Sequence, residues 1–88
     1  MGASKNVIVG AVLPAQVRAA RGLIGWSQEE LAEASGIPKR TIARLELAEG
    51  SPQQRTIASI RSALEAAGVE FIAENGGGAG VRLRKSAL

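Results

Sequence analysis

The sequence predicts a mainly α-helical fold, with four short helices followed by a C-terminal β-hairpin. In the part of the 88-residue chain that precedes Gly68, apolar residues recur at helical spacing. Glycine and proline divide that part into four segments. After Gly68 the apolar period changes from helical to two, which is the spacing of a strand. A chain of this length forms one small domain.

The first two helices are predicted from the residues at their ends. Pro14 suits the first helical position, where a missing N–H costs nothing, and Gly25 can close that helix. Ser27 and Glu30 then have the spacing of a capping box, in which each side chain satisfies the other residue's backbone N–H. Gly36 is expected to end this second helix.

The third helix is predicted from about Pro38 to Leu47, before a loop that contains Gly50 and Pro52. Thr56 is expected to cap a fourth helix, which Gly68 closes.

The hairpin is predicted over residues 69–85, with a glycine-rich turn from Asn75 to Gly80. Glu70 and Glu74 are expected to face Arg82 and Arg84 across it. A second interpretation is that Arg82, Arg84 and Lys85 contact a polyanion.

The composition argues against an enzyme. The chain has no His and no Cys, so the usual zinc and iron ligands, the usual general base and the thiol nucleophile are all missing. We therefore expect no catalytic residue, no metal site, no cofactor and no small-molecule ligand. The net charge of +3 and the isoelectric point near 10.2 are compatible with a polyanionic partner. The absence of cysteine fits a cytoplasmic protein.

The N-terminal segment has two interpretations. Lys5 followed by the apolar run from Val7 to Leu13 imitates a short secretory signal, but the run contains Gly10 and meets Pro14. We favour an N-terminal arm or short strand over residues 1–13, and a tail over residues 86–88. No apolar stretch approaches the roughly 20 residues that a membrane span needs.

The second and third helices have the features of a helix-turn-helix. Ala32 is small where the two helices approach, Gly36 permits the positive φ of the turn, and Ile37 is expected to plug the turn into the core. The outer face of the third helix is left with four residues, Lys39, Arg40, Ala43 and Arg44.

The stretch from Ser27 to Glu46 resembles the Cro/phage-repressor (Xre-type) helix-turn-helix family. The shared pattern is Ser-Gln-x-x-Leu-Ala, then Gly, then Thr-Ile and Glu, and the resemblance covers roughly residues 13–67. It implies a four-helix repressor-like helix-turn-helix core over residues 14–68, a bacterial or phage origin, and double-stranded DNA as the partner. Pro38 departs from the family, which usually has Ser or Thr there.

The resemblance also implies residue roles. Gln28 matches a glutamine that approaches a phosphate and braces the recognition helix, and Arg21 with Glu46 matches a structural ion pair. Thr41 is expected to meet a phosphate, and Arg55 is a further phosphate candidate. The base-reading positions are those of Lys39, Arg40, Ala43 and Arg44, where arginine suits a guanine edge and alanine a thymine methyl. A basic helix face is more often merely solvated, but within this motif we favour DNA contact for Arg40 and Arg44.

A homodimer is expected because one recognition helix contacts only a few base pairs. The hairpin stands where the family commonly has a fifth helix, and pairing with a second copy would cover its edges. The apolar residues predicted at this interface are Val69, Phe71, Ile72, Val81 and Leu83. Two alternatives stay open: the hairpin packs on its own helices, or the segment from Val7 to Leu13 joins the sheet or crosses to the partner.

These observations lead to one main functional hypothesis and one alternative. The main hypothesis is a homodimeric repressor that occludes polymerase at a two-fold operator. The alternative is a protein-interaction module on the same scaffold, such as an antitoxin or antiactivator, with another protein as its partner.

Overall fold

The computed structural model describes residues 12–85, which form four helices and one two-stranded antiparallel sheet. Residues 1–11 and 86–88 lie outside the described range. They contain most of the predicted N-terminal arm, the start of the signal-like apolar run and the predicted tail. The elements are α1 (Pro14–Ile24), α2 (Gln28–Ser35), α3 (Lys39–Glu46), α4 (Gln54–Ala66), β1 (Val69–Ile72) and β2 (Gly80–Leu83). The predicted fold class is confirmed. Within residues 12–85, every helix is too short or too polar to cross a membrane.

One hydrophobic core joins the four helices and the hairpin. Its apolar side chains come from one face of each helix, as the helical spacing predicted. Burying these side chains is the main term that holds α3 against the rest of the domain. The buried residues are Val17 and Ala20 of α1, Leu31 of α2, Ile42 and Leu45 of α3, Ile60 and Leu64 of α4, and Val69 of β1.

The predicted capping box is confirmed at the start of α2. Ser27 Oγ accepts from the Glu30 N–H at 3.0 Å, and Glu30 Oε1 accepts from the Ser27 N–H at 2.8 Å. The two bonds satisfy donors that the helix itself leaves unpaired. The first residue of the helix-turn-helix is therefore fixed by local sequence.

The third helix runs from Lys39 to Glu46 with Pro38 and Leu47 as its caps, within one residue of the predicted bounds. The predicted start of the fourth helix is wrong. The fourth helix begins at Gln54, so Thr56 lies within its first turn instead of capping it. Gln53 already has the extended conformation of an N-cap, and its carbonyl accepts from the Ile57 N–H at 3.1 Å.

The register of β1 and β2 gives the hairpin one apolar face and one polar face. Val69 pairs with Leu83 and Phe71 with Val81, while on the other face Glu70 pairs with Arg82 at 2.9 Å. This ion pair is the predicted one.

The prediction that Glu74 faces an arginine across the hairpin is wrong. The Glu74 carboxylate instead accepts from the N–H groups of Gly76 and Gly78 within the turn. Arg84 donates to the Glu65 carbonyl. Both residues lie beyond the strands, as does Lys85, because β2 ends at Leu83.

The expected dimer residues are mostly part of this domain's own core. Val69 is 0% exposed, and Phe71 and Val81 pack against the core cluster. Leu83 shares their face of the sheet, whereas Ile72 lies on the opposite face. The prediction is therefore wrong for Val69, because a side chain with no exposed surface cannot contact a second copy. The apolar face of the hairpin packs on the helices of its own domain, as in the alternative stated above.

Gln16 attaches α1 to the turn end of the hairpin, which the sequence did not indicate. Its side chain is buried, and Nε2 donates to the carbonyl of Gly80 at 2.9 Å and more weakly to that of Ile72 at 3.4 Å. Oε1 accepts from the Leu13 N–H at 2.8 Å, at the start of α1. A single amide thus caps the first helix and holds both strands.

We expect Gln16→Ala to lower the free energy of unfolding by about 2 kcal/mol, because part-buried backbone groups lose their partners. Urea unfolding followed by circular dichroism measures the change. Gln54→Ala is the matched control, since Gln54 is exposed at the start of α4 and should change stability little. Equal urea midpoints for the two variants would contradict the role given to Gln16.

Candidate nucleic-acid interface

The turn between α2 and α3 is held by hydrogen bonds from both sides. Gly36 has φ 78°, and its N–H donates to the Ala32 carbonyl at 2.9 Å. Ser35 Oγ donates to the Leu31 carbonyl at 2.7 Å and accepts from the Ile37 N–H at 3.2 Å. Because Ile37 also packs against the core, the angle between the two helices is fixed.

Helix α3 is divided into a buried face and a basic face. Ile42 and Leu45 point into the core, at 0% and 6% exposure. The side chains of Lys39, Arg40 and Arg44 lie on the exposed side, and Ala43 is half-buried beside them. All four predicted base-reading residues therefore share the outer side of one short helix.

The cations of this face have few competing partners. Lys39 Nζ lies 4.0 Å from Glu29 Oε2 with both groups exposed, and a surface pair of this kind is worth little. Arg40 has no hydrogen bond or ion pair to any residue between 12 and 85. Their charges are therefore available to an anionic partner.

Arg44 lies against the loop that joins α3 to α4. A Cβ built on Gly50, which has φ 72°, would lie 3.4 Å from Arg44 Nη2. A larger residue at position 50 would be strained and would crowd the guanidinium. Arg44 and Thr41 line an open cleft of about 130 Å³, whose other residues are Leu45, Glu49, Gly50, Ser51 and Pro52.

The end of α3 is tied to α1 and α2 through Glu46. Arg21 donates from Nε to Glu46 Oε2 at 2.7 Å and from Nη2 to Oε1 at 2.9 Å, which is a bidentate pair. Gln28 Nε2 donates to the same Oε1 at 3.0 Å. The Arg21–Glu46 pair lies where the resemblance implied it, and the Gln28 amide braces α3 through this carboxylate.

Electrostatics around Glu46 favour its charged form. Burial by itself raises the pKa of this carboxyl, but the hydrogen bonds from Arg21 and Gln28, with the charges of Arg21 and Arg18, lower it below the ordinary glutamate value. The hydrogen bond to Glu46 in turn raises the pKa of Arg21, against its desolvation. Both groups are therefore ionised at neutral pH.

Arg55 and Arg18 complete the basic side chains near α3. Arg55 is exposed in the first turn of α4, directly after the loop that faces Arg44. Arg18 donates from Nη1 to the Glu46 carbonyl, a contact that the sequence analysis did not anticipate. The spacing of three residues puts Arg18 on the same face of α1 as Arg21, but no residue pattern indicated the backbone carbonyl that it binds. Within residues 12–85 no cluster of acidic side chains is arranged to hold a metal ion.

The chain matches a known protein family. The family model described as Helix-turn-helix matches residues 17–70, which is more than half of the chain and runs from α1 into β1. The match includes the α2–α3 unit and the Glu46 network. Among curated proteins, no significant match was found.

Proposed function

The chain belongs to the Cro/C1-type helix-turn-helix family of DNA-binding regulators, and we propose that it is a homodimeric repressor of transcription. The observation that carries the proposal is the α3 surface, where three exposed cations stand on a helix whose other face is buried. A helix of this width and charge fits the major groove of DNA.

Within this proposal the basic side chains divide into two roles. Arg40 and Arg44 bind guanine edges through the two donors of each guanidinium, Ala43 contacts a thymine methyl, and Lys39 provides a further base contact. Phosphate contacts position the protein without specifying sequence, and these are assigned to Gln28, Thr41 and Arg55. This assignment is supported by the open Arg44 cleft and by the exposure of Arg55.

The homodimer supplies a second recognition helix, spaced about one turn of DNA from the first. The hairpin supports the proposed homodimer, because each strand has one edge without a β partner among residues 12–85. Pairing of such an edge with a second copy satisfies backbone groups that a monomer leaves to water. Ile72, on the polar face of the sheet, is the one predicted interface side chain that points away from the core. A repressor of this kind acts in the cytoplasm of a bacterial cell.

The proposal predicts that Arg44→Ala weakens binding to the operator by about tenfold to a hundredfold, the cost of one bidentate base contact. Fluorescence anisotropy with duplexes that tile the DNA upstream of the protein's own gene identifies the operator and measures the loss. Arg44→Lys keeps the charge but not the planar pair of donors, so it should retain non-specific binding and still lose selectivity. Footprinting and sedimentation then test the two-fold site and the dimer.

Arg61→Ala is the matched control, because it removes one charge, paired with Glu65, from α4 instead of α3. It should leave the ratio of operator to competitor affinity unchanged. If the wild type binds all duplexes equally and with steep salt dependence, only phosphate attraction is present. That result would reject the repressor and favour the protein-interaction module.

A further inference from the structure

The C-terminal end of α3 has an unusual set of hydrogen-bond partners. The last carbonyl groups of a helix lack partners within the helix and usually find them in the backbone that follows. The carbonyls of residues 43 to 45 follow this rule, since they accept from the N–H groups of Leu47, Ala48 and Glu49 at 2.9 to 3.2 Å. The Glu46 carbonyl does not. Its donor is the guanidinium of Arg18, which belongs to α1.

Arg18 and Arg21 together hold Glu46 at two separate points. Arg18 binds the main-chain carbonyl, and Arg21 binds the side-chain carboxylate. One attachment point would let the last turn of α3 pivot, whereas two points on the same residue fix both its position and its rotation. The positive charge of Arg18 also lies at the negative end of the α3 dipole, where it is favourable.

The turn after α3 indicates that this position is constrained. Ala48 has φ 61°, which makes it the only non-glycine residue with positive φ among residues 12–85. A residue with a Cβ rarely adopts this conformation and keeps it only where the surrounding structure requires it. The direction in which the chain leaves α3 is thus enforced at a cost in local strain.

We propose that Arg18 is a positioning residue for DNA recognition, which sets the orientation of α3 by holding the Glu46 carbonyl. It contacts no base; its effect is on the angle at which Arg40 and Arg44 are presented to the groove. Removing it therefore reduces discrimination between operator and other DNA more than it reduces attraction to DNA in general. The proposal rests on the DNA-binding function proposed above.

The first test compares Arg18→Ala with Arg61→Ala, which removes the same charge from α4. Affinities for the operator and for a scrambled duplex of equal length are measured by anisotropy at several salt concentrations. Arg18→Ala should lower operator affinity by about tenfold, the cost of one mismatched base contact, with scrambled-duplex affinity and salt slope unchanged. Arg18→Lys, which keeps a donor and the charge, should recover most of the loss.

Three results would overturn the proposal. Equal losses for both duplexes, with a salt slope reduced by about one charge, would make Arg18 a phosphate contact. Unchanged selectivity in Arg18→Ala would leave it without a role in recognition. A lysine variant as weak as the alanine variant would show that neither the donor nor the charge accounts for the effect.

A second measurement separates this proposal from the function on which it rests. Amide hydrogen exchange of the protein without DNA should be faster in Arg18→Ala at Leu47, Ala48 and Glu49, and unchanged at Ala67 and Gly68 after α4. Unchanged exchange at the end of α3 would reject the anchoring role, whatever the DNA results. If the wild type lacks operator selectivity, the proposed function fails, and the exchange data alone decide whether Arg18 holds α3.

Discussion

Replacing Glu46 with alanine is expected to lower the free energy of unfolding by about 3 kcal/mol, near the lower end of the range for removing one partner of a buried ion pair. The lower end applies because the Arg21 side chain retains 20% exposure, while that of Glu46 is 3% exposed. The loss arises because Arg21 and Gln28 are left without their acceptor. Urea unfolding monitored by circular dichroism measures it.

Glu49→Ala provides the comparison for this prediction. Glu49 is exposed on the loop after α3 and makes no ion pair with any residue between 12 and 85, so its replacement should change stability by less than about 0.5 kcal/mol. Similar urea midpoints for the two variants would show that the Glu46 network does not stabilise the fold.

The effect of Glu46 should also depend on pH in a defined direction. The fold lowers the pKa of Glu46 below the ordinary glutamate value. The ionised carboxylate therefore stabilises the folded state more than the neutral carboxyl does. This contribution is complete above the ordinary glutamate pKa and is lost as the pH falls through the lower folded-state pKa. The stability difference between wild type and Glu46→Ala should therefore shrink on acidification. A difference that grew would contradict the assigned network.

Leu31→Ala is expected to have an effect of similar size, about 3 kcal/mol, through a cavity instead of a lost charge pair. Leu31 is 0% exposed and lies in the core beside α3 and α4. Shortening it removes buried methyl groups while the surrounding helices relax only in part. The measurement is again the urea midpoint, and operator binding should weaken in parallel because α2 braces α3.

Leu23→Ala is the matched control, with the same chemical change on the outer side of α1. Leu23 is 41% exposed, so we expect a loss below about 1 kcal/mol. If Leu31→Ala were no more destabilising than Leu23→Ala, the described packing between the helix-turn-helix and α4 would be wrong.

Features set by short-range interactions could be predicted from the sequence. The Ser27–Glu30 capping box and the turn at Gly36 depend on residues a few positions apart, and both are present as expected. The same holds for the amphipathic pattern of α3, which determines that Ile42 is buried and Arg40 exposed. The hairpin could also be predicted, because the apolar residues after Gly68 alternate with a period of two, which is again a short-range pattern.

Other expectations failed where the chain offers two local choices. Thr56 and Gln53 could each begin α4, and it is Gln53 that has the extended backbone of an N-cap, while Thr56 lies within the helix. Glu74 could pair across the hairpin or bind the N–H groups of its own turn, and the glycine conformations at Gly76 and Gly78 present those groups to it.

The sequence alone determined the four helices, the hairpin and the basic outer face of α3, because these follow from periodicity, caps and residue type. Tertiary structure decided which surfaces remain free. The apolar side of the hairpin is used within the domain, since Val69 completes its core. Gln16 and Arg18 have their roles only because folding brings backbone carbonyls from distant segments to them. A carbonyl has no side-chain identity, so no residue pattern in the sequence records where it will need a donor.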